Sequence, residues 1–262
     1  MAYRTDGSTH HGGIKAEKDL AEHIQKDRDL ALSVFPECPE NYTATQLGGT
    51  KHKPDIMIGT QGVSVKKKEK LETGSFDWLN SSAAYKKHSD KFPNLNEVYE
   101  ACRAARATGI TRPIDVEYWR EQIKVATHKD LESFSADILE DVIRGSIIDP
   151  YEDLILTIQD KSSDQIHSCD FRDTLLYKIF EDDVDLTFKK TKTKEPSTSR
   201  TVLLNGEDKG LRLRVVLNNG VGALLGLSQR NRDSQLVIKF QQDKVAGFLD
   251  DIEPEDLRVA SY

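Results

Sequence analysis

Cysteine is scarce in this 262-residue chain: Cys38, Cys102 and Cys169 stand far apart, and no CxxC pair occurs. That argues against a disulfide framework and a structural zinc, and for a reducing compartment. No apolar run approaches the about 20 residues that cross a bilayer, and the N-terminus lacks the hydrophobic core of a signal peptide. The expectation is a soluble, cytoplasmic protein with no membrane partner. Internal repeats are missing, as are the P-loop, GxSxG, HExxH and dinucleotide fingerprints, which removes several common enzyme classes.

Net positive charge is also lacking. The formal balance is −7, but the charges are segregated. Residues 48–91 hold nine lysines against five acids, and residues 187–214 eight basic residues against three acids. Residues 130–185 hold sixteen acids against four basic residues. Such blocks can give one face that tracks phosphates and one that repels them.

What is present is concentrated in Gly49-Thr50-Lys51-His52-Lys53-Pro54-Asp55-Ile56-Met57-Ile58-Gly59, followed by Gly62-Val63-Ser64-Val65-Lys66-Lys67-Lys68. Pro54 cannot donate to a ladder, so a first strand is expected from Asp55 to Ile58. A tight turn at Gln61-Gly62 would lead into a second from Val63 to Lys68. Strand alternation puts Ser64, Lys66 and Lys68 on one side and Val63 and Val65 on the other. With the valines in the core, Asp55 and Lys66 meet at the open edge. An aspartate beside a lysine is the minimum apparatus for holding a divalent cation and activating water against a phosphodiester.

These residues resemble the PD-(D/E)xK nuclease superfamily, which includes restriction and homing endonucleases. Pro54-Asp55 corresponds to the first half of its motif, and Ser64-Val65-Lys66 stands where (D/E)xK would. Ser64 departs from the pattern, because a hydroxyl is a poor substitute for the carboxylate that Mg²⁺ favours. An acidic residue on the first helix is a feature of many members, so the resemblance implies Glu17 as the missing carboxylate, with Glu22 the second choice. It further implies Asp55 and Glu17 as ligands of Mg²⁺ or Mn²⁺, with a backbone carbonyl near Val65. Lys66 would orient or deprotonate the attacking water, and Lys68 would replace it or hold a neighbouring phosphate. Lys51, Lys53 and Lys67 are expected to lie along the DNA. The stretch Glu72 to Ser82, with Phe76, Asp77 and Trp78, reads as a loop similar to a block of phage-encoded nucleases.

The remainder divides by pattern. Residues 1–12 read as a flexible leader and residues 13 to about 33 as one amphipathic helix with Ile14, Leu20, Ile24 and Leu30 on its apolar side. The middle is helical: Leu95 to Ala107, Ile114 to His128 behind Pro113, and Leu131 to Ile143 before Gly145. Leu154 to Ile158 is a strand or a short helix. In the C-terminal third, Leu211 to Leu217 alternates as a strand with Arg212 and Arg214 on one face. Asn218-Asn219-Gly220 signals a turn, and Gln235 to Phe240 forms a second strand. Arg, Asn and Gln read base edges through paired hydrogen bonds. Arg212, Arg214, Asn218, Asn219, Arg230, Arg232, Gln241 and Gln242 are therefore expected to form a target-recognition element.

The expected architecture is α/β or α+β: a mixed sheet flanked by helices in a nuclease core over 13–92, a helical region over 93–186, and a β-rich recognition region over 187–262. The expected activity is Mg²⁺-dependent, site-specific hydrolysis of double-stranded DNA. Cutting both strands needs two active sites or two visits, which a homodimer would supply. Two rivals are a nuclease fold that has lost catalysis and kept DNA binding, motivated by Ser64, and a protein-interaction module working through its acidic stretch.

Overall fold

The computed structural model describes residues 8–47, 54–68, 76–108, 115–173, 184–190, 195–217, 234–240 and 252–262. The fold is mixed α+β with two sheets. The chain forms two compact units that interleave in sequence: one from residues 1–76, 148–182 and 242–262, the other from 77–147 and 183–241. The linear division expected from local pattern does not follow these units, because distant segments pair within each.

The first unit opens with α1 (Ser8–Lys26) and α2 (Arg28–Val34). Residues 8–12, expected in a flexible leader, are already helical. The single helix expected to residue 33 is broken at Asp27, whose extended backbone and carboxylate cap α2 by accepting from Asp29 N–H (3.0 Å) and Leu30 N–H (3.1 Å). Such a cap contributes about 1 kcal/mol. Three strands follow as an antiparallel meander: β1 (Ala44–Gln46), β2 (Ile56–Ile58) and β3 (Gln61–Lys68). The turn between the last two is Gly59-Thr60, two residues before the expected Gln61-Gly62, with Ile58 opposite Gln61. Gly59 holds a left-handed φ of 60°, which glycine adopts without a Cβ penalty.

β3 then pairs in parallel with a strand from much later in the chain, β5 (Leu154–Asp160), and the sheet continues through β6 (Gln165–Asp170) to β11 (Arg258–Ser261). The region expected to be helical over 93–186 therefore supplies two strands of this sheet. One face is covered by α1 and α2: Leu20, Ile24, Leu30, Ala31 and Val34 pack with Ile56, Ile58, Val63, Val65, Ile155 and Ile166. Each large aliphatic side chain buried there contributes roughly 1.5–3 kcal/mol.

The second unit holds β4 (Phe76–Ser81), where a loop was expected, then α3 (Ser82–Lys87), α4 (Pro93–Ala107), α5 (Asp115–Glu132) and α6 (Ala136–Ile143). The last begins five residues later than expected, since Ser133 Oγ bonds back to Asp130 O (2.7 Å) at the end of α5 and Ser135 Oγ accepts from Ile138 N–H (3.3 Å) to cap the next helix. The N-cap of α4 is Phe92, whose side chain has no acceptor to offer. Asp130, fully buried on α5, fills that role by accepting from Asn94 N–H (3.0 Å), Asn94 Nδ2 (2.6 Å) and Leu95 N–H (2.8 Å). Its sheet runs β4, β10 (Ser234–Phe240), β9 (Leu211–Leu217), β8 (Ser199–Leu204), β7 (Leu186–Phe188). The strand pair expected around residues 211–240 is present as β9 against β10, antiparallel. No helix among the described residues is long and apolar enough to cross a membrane.

Candidate active site

The hairpin of β2 and β3 positions Asp55. Ile56 faces Val63, so the residue before it faces Ser64. Asp55 N–H donates to Val63 O and Leu47 N–H to Asp55 O, both at 2.9 Å, which fixes the backbone on either side. The carboxylate turns back onto the neighbouring strand: Oδ2 accepts Val65 N–H at 2.7 Å and Ser64 Oγ at 3.3 Å. The other oxygen, Oδ1, accepts no hydrogen bond among the described residues. Asp55 is thus an oriented acid with one oxygen structural and one available.

Alternation on β3 is as expected, with Val63, Val65 and Lys67 on the helix-covered face and Ser64 and Lys66 on the other. Ser64 is only 1% exposed. With its hydroxyl committed to Asp55, it serves as a strut for the carboxylate. Lys66 Nζ stands 5.9 Å from the centroid of Tyr151, within cation–π range, and that ring packs in turn against Phe171 at 5.5 Å. Lys67 is exposed. The backbone of Lys68 lies opposite Asp160 on β5.

Glu17 approaches from the other layer. It lies on α1, which covers the Val63 and Val65 face, and its Oε2 accepts from Gln46 Nε2 at 3.3 Å. Gln46 pairs with Ile56, one residue from Asp55. Glu17 and Asp55 therefore belong to the same end of the sheet, Glu17 on the helix that covers the Val63 and Val65 face and Lys66 on the opposite face of β3. The second choice, Glu22, is exposed and pairs with Lys18 at 3.9 Å. Among the described residues no cluster of three His, Cys, Asp or Glu side chains forms a metal cage.

Three residues that pattern reading did not single out share this end of the sheet. Gln159 on β5 is 1% exposed, and its Oε1 has no hydrogen-bond partner among the described residues. Asp160 accepts from Ser162 N–H (2.9 Å), Ser162 Oγ (2.8 Å) and Ser163 Oγ (2.9 Å). Burial pushes its carboxyl up, but these hydrogen bonds together outweigh that and hold it below the usual aspartate value. His167 faces Ile158 across β5 and β6, as Lys66 does across β3 and β5. Burial pulls its imidazole below the ordinary histidine value, with Asp160 opposing in part. The Asp160-Lys161-Ser162-Ser163 tract was a legible signal, since a serine two residues after an aspartate commonly closes a side-chain-to-backbone turn.

In the second unit, Arg212 and Arg214 share a face as expected: they lie opposite Thr201 and Ser199 on β8, Arg214 exposed and Arg212 half-buried. Lys51, Lys53, Asn218, Asn219, Arg230, Arg232, Gln241 and Gln242 lie outside the described residues. The acidic stretch from 130 to 185 is divided between the two units, and many of its members are already engaged. Asp130 caps α4, Asp141 lies 3.8 Å from Lys91, Glu140 3.4 Å from Arg144, and Asp170 3.2 Å from Arg258. Comparison with family models, curated proteins and solved structures finds none that matches this chain.

Proposed function

We propose that this chain is a Mg²⁺-dependent, site-specific endonuclease acting on double-stranded DNA, of the restriction or homing type within the PD-(D/E)xK superfamily. One observation carries the reading: the Asp55 carboxylate is locked by Val65 N–H and Ser64 Oγ, and Lys66 follows on the same strand face. The mixed sheet with two helices packed on one face supports it. The donor set suits Mg²⁺, which takes one or two carboxylates and completes its shell with water and phosphate oxygens. Asp55, through Oδ1, and Glu17 would hold the ion, which when bound supplies a Lewis acid at the scissile phosphate and a more acidic water.

The chain's own groups do the rest. Val65 N–H and Ser64 Oγ keep the Asp55 carboxylate from rotating, so its charge is pre-oriented. The Lys66 amine orients or deprotonates the attacking water and offsets charge developing on the phosphate. Lys68 would replace Lys66 or hold a neighbouring phosphate, and exposed Lys67 adds positive charge. A homodimer would bring two such sites to the two strands.

The test is incubation of wild type, Asp55→Ala and Lys66→Ala with a mixed-sequence plasmid across divalent metals, followed by end mapping. Metal-dependent cutting by wild type alone, at defined ends, is the expected result. Ser64, a strut where the motif has an acid, favours a second reading in which the fold binds DNA without cutting it. Wild type that binds the plasmid at low salt and leaves it intact with every metal would establish that reading instead.

A further inference from the structure

The six-stranded sheet ends in β1 on one side and β11 on the other, and the chain guards only the first. At β1, Thr43 O accepts from Gly59 N–H and Leu47 N–H donates to Asp55 O, so alternation turns the backbone groups of Ala44 and Gln46 outward. Gln25 Oε1 covers that edge by accepting Ala44 N–H at 2.7 Å, and Lys18 and Lys26 stand beside it. Covering groups and lysines are how edge strands avoid pairing with another chain.

β11 carries neither device. Tyr262 N–H donates to Asp164 O at 3.2 Å, so residues 258, 260 and 262 bond toward β6, and Val259 and Ser261 turn their N–H and C=O groups away from it. Among the described residues no strand lies on that outer side. Val259 is 49% and Tyr262 36% exposed, two of the three large apolar or aromatic side chains so exposed among the described residues. Neither lysine nor proline occurs from Arg258 to Tyr262.

We infer that β11 is a homodimer interface, joining the six-stranded sheets of two copies antiparallel across a two-fold axis at Ala260. The register is self-complementary, as a two-fold requires. Val259 of each copy meets Ser261 of the other and exchanges both N–H to C=O bonds, while Ala260 faces Ala260 in the closer, non-hydrogen-bonded pair. Arg258, held by Asp170 and Val34 O, both at 3.2 Å, comes opposite Tyr262 of the other copy. Both lie on the helix-covered face, where Tyr262 meets His23 of α1 edge-on at 5.9 Å, so a guanidinium is brought to an aromatic ring. A second copy fits this edge because the strand supplies each of its own complements: small residue on small at the axis, bond for bond beside it, cation by ring at the ends. The use of such a dimer in cutting both DNA strands rests on the nuclease reading above; the pairing itself does not.

The experiment is sedimentation equilibrium of the full chain over a concentration series, for wild type, Ser261→Pro and Val259→Lys. Wild type should pass from monomer to dimer at roughly 1–100 µM, the weak range that a short strand pair supports. Ser261→Pro removes an N–H that the β6 ladder does not use, and Val259→Lys puts a charge on the edge. Both should keep the wild-type circular dichroism and associate at least about tenfold more weakly. Ala260→Cys should cross-link between copies on addition of diamide, since facing Cα atoms of such a pair stand about 4.5 Å apart, within disulfide reach. If Ser261→Pro fails to fold, Val259→Lys and the cross-link decide. Wild type that stays monomeric throughout the series, or a dimer that is indifferent to the edge variants or gives no cross-link, overturns the inference. Plasmid cleavage, scored separately, distinguishes the failures. A β11-dependent dimer that cuts no DNA removes the nuclease reading alone, and cleavage by a chain that stays monomeric removes the interface alone.

Discussion

The Asp55 carboxylate stands in for a backbone carbonyl: it takes the N–H of Val65 at 2.7 Å, just beyond the point where β2 begins. One side chain thus completes the ladder and presents an acid, and the two roles can be separated. Asp55→Asn keeps an oxygen for Val65 N–H but loses the charge, whereas Asp55→Ala leaves the N–H unmade at a cost of about 1–3 kcal/mol. The expected outcome is a near-normal melting temperature for Asp55→Asn, a lowered one for Asp55→Ala, and no plasmid cleavage by either. Cleavage by Asp55→Asn at the wild-type rate would show that the charge is not used.

Lys66 is predicted to act on rate and little on stability, since it is only half-buried at the sheet end. Lys66→Met should lower single-turnover cleavage by about 10²–10⁴-fold, the range of positioned acid–base groups. Melting curves and duplex binding measured in parallel should change far less.

Gly62 couples the sheet to the candidate site. A Cβ there would lie 2.5 Å from Leu154 Cδ2 and 3.1 Å from Pro54 Cβ. Gly62→Ala should cost about 1–3 kcal/mol by overpacking. Because Pro54 precedes Asp55, cleavage should also fall. Denaturant unfolding and plasmid cutting check the two effects.

Asp130 is an acid whose work is structural. Asp130→Ala strips the cap from α4 and leaves buried Leu95 N–H and two part-buried Asn94 donors unmade, so a loss of about 3 kcal/mol is expected. Urea unfolding measures it. Asp130→Asn should lose less.

His88 gives a pH dependence. It is 3% exposed, its Nε2 lacks a hydrogen-bond partner among the described residues, and Asp141 lies 3.7 Å from Nδ1. Burial pulls its pKa below the ordinary histidine value, with Asp141 opposing. Between the lowered folded value and the unfolded value near about 6.5, the unfolded chain binds the extra proton. Its contribution to stability is therefore complete above the unfolded value and is lost as pH falls toward the folded one. An NMR titration should place the His88 midpoint below 6.5, and a midpoint above it would contradict the burial argument.

The hairpin was legible because its signals are local: Pro54, the alternation of Val63 and Val65, and a glycine turn. The turn itself falls two residues earlier than expected, since Gly59 and Gly62 look alike in sequence and only the positive φ of Gly59 distinguishes them. Leu154 to Ile158 could not be assigned from periodicity. As a strand buried on both faces it shows a continuous apolar run, which helix and strand share. The burial of Arg200 was hidden for another reason. In a tract of Lys, Ser and Thr it reads as solvated, and its burial depends on Phe188, contributed by another strand. Glu17 lies on the first helix, as its local pattern predicts, but the side of the sheet that helix covers is set by tertiary packing.

The parallel pairing of β3 with β5 joins strands whose partners, like Gln61 and Asp153, are 92 positions apart. During synthesis the early meander must therefore wait, its lysine strand exposed as a temporary edge, until the ribosome has delivered all of the intervening chain and β5 itself. Closing so long a loop costs about 4 kcal/mol of chain entropy, and any order gained early by the residues between those strands shortens the gap. Ribosome stalling or truncation ahead of residue 154 would release a species with an unfinished sheet, prone to self-association through that open strand.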